Sequence, residues 1–247
     1  MNHKYIIIFC LPFIIFACES RRSGEEKQEN EELNRLPRAR EIGIEPYGAE
    51  AEFPDAILEM TNPAEYQRLN PGKTTFSYNV KNFDLASGAS IVLNLNNSRF
   101  IEKQTVEFQT DLEEGAYLSL SFLATKDGFA LKNYGNYVVR SFTVGNSDEI
   151  DDTRPMLMYN QPRGRVRLDE EDGAPLDFFL LNAELSANGH KVKIEIGGRE
   201  FVLDEWRRYR IRGLGRGEHR IKLSLIGPDG KIADSPFGQA EQAFTLY

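Results

Sequence analysis

Cysteine, histidine and tryptophan are nearly missing from this chain of 247 residues, with two, three and one respectively. Cys10 and Cys18 both lie at the N-terminus, so no disulfide framework supports a folded region. His190 follows Asn188-Gly189, a turn composition, and His219 opens a strand-like run. Neither has a second histidine or a cysteine at ligand spacing, which excludes a thiolate or histidine-rich metal centre. Also missing are a nucleophile elbow, a phosphate loop and a dinucleotide fingerprint. No catalytic residue, metal or cofactor is expected. Asp169-Glu170-Glu171-Asp172 offers hard oxygen ligands, but the full calcium-loop spacing is missing and acidic loops are ordinarily solvated. A paired-carboxylate site would leave no mark in such an acid-rich sequence. The net charge of −8 speaks against nucleic acid as a partner.

The longest apolar run, Tyr5 to Phe16, has 12 residues and contains Pro12, too short and too broken for a membrane helix. Preceded by His3 and Lys4, it has the layout of a signal-peptide core. Its end, Ile15-Phe16-Ala17-Cys18, resembles a bacterial lipobox. That resemblance implies removal of residues 1–17 and lipidation of Cys18 with palmitate-type chains, giving a membrane anchor. A plain secretory signal is the alternative. Glu19 in place of aspartate implies the outer membrane, facing periplasm or cell surface. Residues 18–50 are rich in Glu, Arg, Asn and Ser without periodicity, which predicts a disordered tether.

The remainder repeats itself. Phe76-x-Tyr78-x-x-x-Asn82-x-x-Leu85 matches Leu176-x-Phe178-x-x-x-Asn182-x-x-Leu185, and Ile91-x-Leu93-x-Leu95 matches Val192-x-Ile194-x-Ile196. Further on, Asp127-Gly128 matches Asp229-Gly230, and Phe142-Thr143-Val144 matches Phe244-Thr245-Leu246, with the offset held at 100 to 103 residues. A constant long offset marks a duplicated domain. Apolar residues alternate over short runs separated by Asn, Gly and Pro, the period of half-buried strands. The predicted fold is all-β: two tandem immunoglobulin-like (fibronectin III-like) antiparallel β-sandwiches, at 51–145 and 155–247. An acidic linker, 146–154, would join them and permit some bending. Gly197-Gly198 predicts a tight hairpin, and Asn82 and Asn182 predict turn caps.

One stretch stands out chemically: Trp206, Arg207, Arg208, Arg210 and Arg212, followed by Arg216 and Arg220. Strand alternation sends Tyr209 and Ile211 one way and Arg208, Arg210 and Arg212 the other. Three guanidinium groups in a row on an exposed face would grip carboxylate or phosphate groups, with Trp206 as an anchor. Alternatively, Trp206 fills the end of the sandwich and the arginines blunt an edge strand.

The segment Leu176-Asp177-Phe178-Phe179-Leu180-Leu181-Asn182, with Gly189-His190-Lys191-Val192, Phe201-x-Leu203-x-x-Trp206 and Gly213-Leu214, resembles a group of Bacteroidota lipoproteins. These carry tandem immunoglobulin-like or fibronectin-like modules and sometimes the loose label phosphopeptide-binding. The resemblance implies the fold and the anchor, and supplies no catalytic residues. Two functions stand foremost: a non-catalytic envelope lipoprotein binding a protein, peptide or glycan, or a structural component of an envelope complex. An enzyme is the third class.

Overall fold

The computed structural model describes residues 41–48, 53–168 and 173–247. The expected leader, Cys18 and most of the expected tether lie outside the described residues, as does the acidic run 169–172. Residues 41–247 form one compact unit built from strands, with one short 3-10 turn among the described residues, at Leu85–Ser87.

The first strand, β1 (Gly43–Pro46), precedes the first sandwich. That sandwich contains β2 (Ile57–Asn62), β3 (Gln67–Leu69), β4 (Gly72–Lys81), β5 (Ser90–Leu95), β6 (Arg99–Lys103), β7 (Glu107–Leu112), β8 (Gly115–Ala124) and β9 (Tyr137–Val144). The second contains β10 (Met156–Gln161), β11 (Gly164–Val166), β12 (Ala174–Leu181), β13 (Lys191–Ile196), β14 (Arg199–Leu203), β15 (Tyr209–Arg212), β16 (Gly217–Ile226) and β17 (Gln239–Leu246). In the first, sheet β2-β4-β7 faces sheet β3-β9-β8-β5-β6. In the second, β10-β12-β15 faces β11-β17-β16-β13-β14, and β1 extends the smaller sheet beside β15. Both small sheets therefore follow the A-B-E order of immunoglobulin domains, and both large ones add a short strand parallel to the last strand. The fold is the predicted pair of immunoglobulin-like sandwiches.

Alternation builds each core. Phe76, Tyr78, Ile91, Leu93 and Phe142 meet inside the first sandwich; Leu176, Phe178, Val192, Ile194 and Phe244 are their counterparts in the second. Gly197 and Gly198 take φ of 56° and 75°, and pair Ile196 with Arg199 across a two-residue turn. Asn82 and Asn182 both have positive φ. Their side-chain amides donate to Asp55 O and to Asp152 O and Arg154 O, which fastens the turn after β4 and β12 to the segment before β2 and β10.

Two expectations need correction. The tether was expected to run to residue 50, yet Gly43–Pro46 is a strand paired antiparallel with Tyr209–Arg212. It takes the place of strand D in a four-stranded A-B-E-D sheet, so the second sandwich draws on residues outside 155–247. Gly213 permits this approach: a Cβ there would lie 2.3 Å from Glu41 O. Edge pairing of a segment so distant in sequence leaves no periodic mark, which is why composition alone suggested disorder.

The linker is also no loose joint. Ile150 packs into a third apolar cluster formed by Val92, Leu118, Leu120 and Phe122 of the first sandwich and Met156, Met158 and Phe179 of the second. Phe122 and Phe179 meet at 4.9 Å. Polar bonds extend this contact along the open edge of β10. Asn97 donates to Leu157 O at 2.7 Å and accepts from Tyr159 N at 2.7 Å, while Asn94 donates to Tyr159 O at 2.8 Å. Two asparagine side chains thus do for β10 what a neighbouring strand would do, satisfying buried backbone groups. The expected bending is opposed by all of these contacts.

Candidate functional site

The Arg/Trp stretch lies on β15 and the turn before it. Alternation divides it as predicted, with Tyr209 and Ile211 entering the second core. The arginines, however, do not form an exposed row. Arg208 is buried, with its guanidinium 5.5 Å from the Phe129 ring and Nη2 donating to Ala130 O. Arg210 lies 4.1 Å from the Tyr47 ring and 4.9 Å from that of Phe129, and Nη1 donates to Gly173 O. Arg212 bonds Glu45 of β1 at 2.5 Å. The physical reason is cover: β1 takes the edge of β15, and the loop between β8 and β9 lies over its outward face.

Trp206 is likewise engaged. Its indole N–H donates to Phe178 O at 2.9 Å, and its ring meets Phe179 edge-on at 6.0 Å. The carbonyl of Arg207 accepts from Lys132 Nζ, and its guanidinium pairs with Glu205. Arg216 is exposed, and Arg220 makes an exposed pair with Glu241 at 3.2 Å. Trp206, Arg208, Arg210 and Arg212 therefore spend most of their donors and faces holding elements together, and the structural alternative describes them better than a free ligand-gripping row.

Other cations meet open space. A cleft of 720 Å³ opens at the junction of the sandwiches, between the β8–β9 loop and the strand β11. Arg163, Arg165 and Arg167 alternate from just before β11 to just past it, with Lys126 and Arg210 also lining the cleft. Glu102 and Asp127 are the acids that line it. Arg163 is anchored: Nη2 pairs with Glu102 at 3.1 Å, Nη1 donates to Asn160 O at 3.0 Å, and the guanidinium lies 5.2 Å from the Phe100 ring. Burial holds its pKa below the usual arginine range, and the Glu102 carboxylate opposes that shift. Arg165 stacks on Tyr247 at 4.5 Å, and Arg167 is exposed. Among the described residues none of Lys126, Arg165, Arg167 and Arg210 pairs with a carboxylate, and Arg210 Nε is buried without a partner. The cleft is built to attract anions, and its lining comes mainly from the second sandwich.

The sequence held the signal for this site. Arg163-x-Arg165-x-Arg167 repeats at the same period of two as the stretch on β15, without a tryptophan to mark it. A second groove, of 1020 Å³, runs along β2 and β9 of the first sandwich, where Tyr134 is fully exposed beside Phe53 and Arg140. Among the described residues no three His, Cys, Asp or Glu side chains gather as metal ligands.

No family model and no curated protein matches this chain. Solved structures show distant likenesses. Fibronectin(III)-like modules of CbhA from Clostridium thermocellum are 13% identical, covering 77% of this chain and 94% of that one, at a TM-score of 0.30. The CBD12 fragment of CALX1.2 is 11% identical over 76% of this chain and 99% of that one, at a TM-score of 0.22. The fold assignment rests on the strand order described above, and no property of either protein is carried across.

Proposed function

We propose that this chain is a non-catalytic, lipid-anchored binding protein of the bacterial cell envelope, of the Bacteroidota lipoprotein type, that holds an anionic partner at the junction cleft. The observation that carries this reading is the group of cations there, Lys126, Arg165, Arg167 and Arg210, without carboxylate partners among the described residues. Guanidinium groups on a fixed strand suit carboxylate, phosphate or sulfate groups of a protein, peptide or glycan. The anchor reading rests on the run ending Ala17-Cys18, and Glu19 in place of aspartate supports the outer membrane as its address. Loss of lipid labelling in Cys18→Ala tests the anchor; labelling that survives the substitution refutes it. Crosslinking in native membranes tests the cleft. A partner captured by the parent chain and lost with Arg165→Glu/Arg167→Glu supports the reading, and capture that ignores the substitutions ends it.

A second reading, a structural component of an envelope complex, is favoured by a different observation. The third core and the Asn94 and Asn97 bonds join the sandwiches into one unit suited to bracing a neighbour.

A further inference from the structure

Three side chains at the junction form an arrangement that neither the cleft nor the apolar cores require. Asp177 of β12 is fully buried, with Oδ1 2.7 Å from Lys132 Nζ. Its other oxygen, Oδ2, accepts from Asn160 Nδ2 at 2.7 Å and from Ala130 N at 2.9 Å. Asn160, on β10, is itself fully buried, and its carbonyl Oδ1 accepts from Arg163 Nη1 at 2.5 Å. Aromatic rings enclose the lysine: Nζ lies 5.3 Å from the Phe178 and Trp206 ring centres and 6.0 Å from Phe179. A primary amine and a primary carboxamide thus share one carboxylate in a largely dry, aromatic-walled site. The amine comes from the first sandwich and the amide from the second.

We propose that Lys132 and Asn160 condense into an intramolecular amide bond, with Asp177 as the proton carrier, riveting the two sandwiches together. Each participant has a role that its position supplies. Asp177 Oδ1, 2.7 Å from Nζ, is placed to take a proton from Lys132, which leaves a neutral, nucleophilic amine. Nζ then moves from Oδ1 across the width of the carboxylate and attacks Asn160 Cγ. The negative charge that develops on Asn160 Oδ1 faces the Arg163 guanidinium, in the manner of an oxyanion site. Asp177 returns its proton to Nδ2, and the Cγ–Nδ2 bond breaks. The balance is closed: lysine ammonium plus carboxamide give a secondary amide plus ammonium ion, with Asp177 a carboxylate at start and end. No oxidant, metal or cofactor enters, and the event happens once per chain.

The first copy offers an internal control. The register positions that match Asn160 and Asp177 are Thr61 and Ser77, which lack both the amide and the acid. The triad therefore belongs to the junction and not to the module as such.

Mass spectrometry of the full-length chain under denaturing conditions tests this. The expected result is a parent chain lighter by one ammonia than its sequence requires, measured against Lys132→Arg so that N-terminal processing cancels. Digestion should give one branched peptide joining Lys132 to Asn160, and Asp177→Asn should restore full mass and linear peptides. A parent chain at full mass, with linear peptides spanning both residues after prolonged incubation, overturns the proposal. The branched peptide persisting in Asp177→Asn removes Asp177 from the chemistry. The parent measurement alone decides the bond if a variant fails to fold.

Discussion

At matching register positions the outer face of one copy meets solvent and that of the other is buried. On strands β2 and β4 of the first sandwich the outward residues are Glu59, Thr61, Ser77 and Asn79, and Glu59, Thr61 and Asn79 are exposed. On β10 and β12 of the second they are Met158, Asn160, Asp177 and Phe179, all fully buried. The inner faces stayed alike while one outer face became a second core. Two sandwiches with like inner faces thus differ on their outer ones, and the buried outer face joins them. The edges differ in the same way. The place beside β15 is filled by β1, whereas β7 pairs on one side alone with β4.

Truncating the shared core breaks this comparison most severely. Phe179→Ala should lower unfolding free energy by about 3 to 5 kcal/mol, since it removes ring contacts with Phe122, Tyr137 and Trp206. Asn79→Ala, at the matching position, should stay within about 0.5 kcal/mol. Denaturant titration of both variants measures the gap, and equal losses would mean that the third core does not form.

The polar edge comes next. Asn97→Ala leaves Leu157 O and Tyr159 N without their partners, at about 1 to 3 kcal/mol for each buried group. Hydrogen exchange should show the loss at Tyr159 N–H while the β13–β14 hairpin stays protected. A smaller effect is expected from Gly213→Ala, whose Cβ overlaps Glu41 O and forces β1 off β15, at about 1 to 3 kcal/mol or less if the strand simply shifts. Faster exchange confined to Gly43–Pro46 and Tyr209–Arg212 identifies it; unchanged exchange there would place β1 elsewhere. Least of all, Arg165→Glu/Arg167→Glu should move stability by about 0.5 kcal/mol or less, because both side chains are exposed. Its effect should appear only in partner capture.

Much of this was legible beforehand, for definite reasons. Phe76 to Lys81 of β4 and the whole of β13 alternate strictly, and the inner positions of β5 and β12 keep the same phase, so the strands and the repeat could be read. The double-glycine hairpin and the paired asparagines carry local conformational requirements that a sequence displays directly. The third core also left a trace: β12 reads Ala174-Pro175-Leu176-Asp177-Phe178-Phe179-Leu180-Leu181, a nearly continuous apolar run of the sort made by strands buried on both faces. The arginines of β15 misled because alternation tells which residues share a face and says nothing of what lies against that face.

By itself, then, the sequence determined the strands, the two inner cores and the repeat, since period and turn chemistry act over a few residues. It also carries the apolar run ending Ala17-Cys18, on which the proposed anchor depends. Tertiary structure alone decided that residues 43–46 complete the distant sandwich and that Trp206 and the β15 arginines are covered. It alone brought Lys132, Asn160 and Asp177 around one carboxylate and left Arg165 and Arg167 facing a cleft. These outcomes depend on which surfaces meet across many tens of residues, and no local periodicity encodes such a meeting.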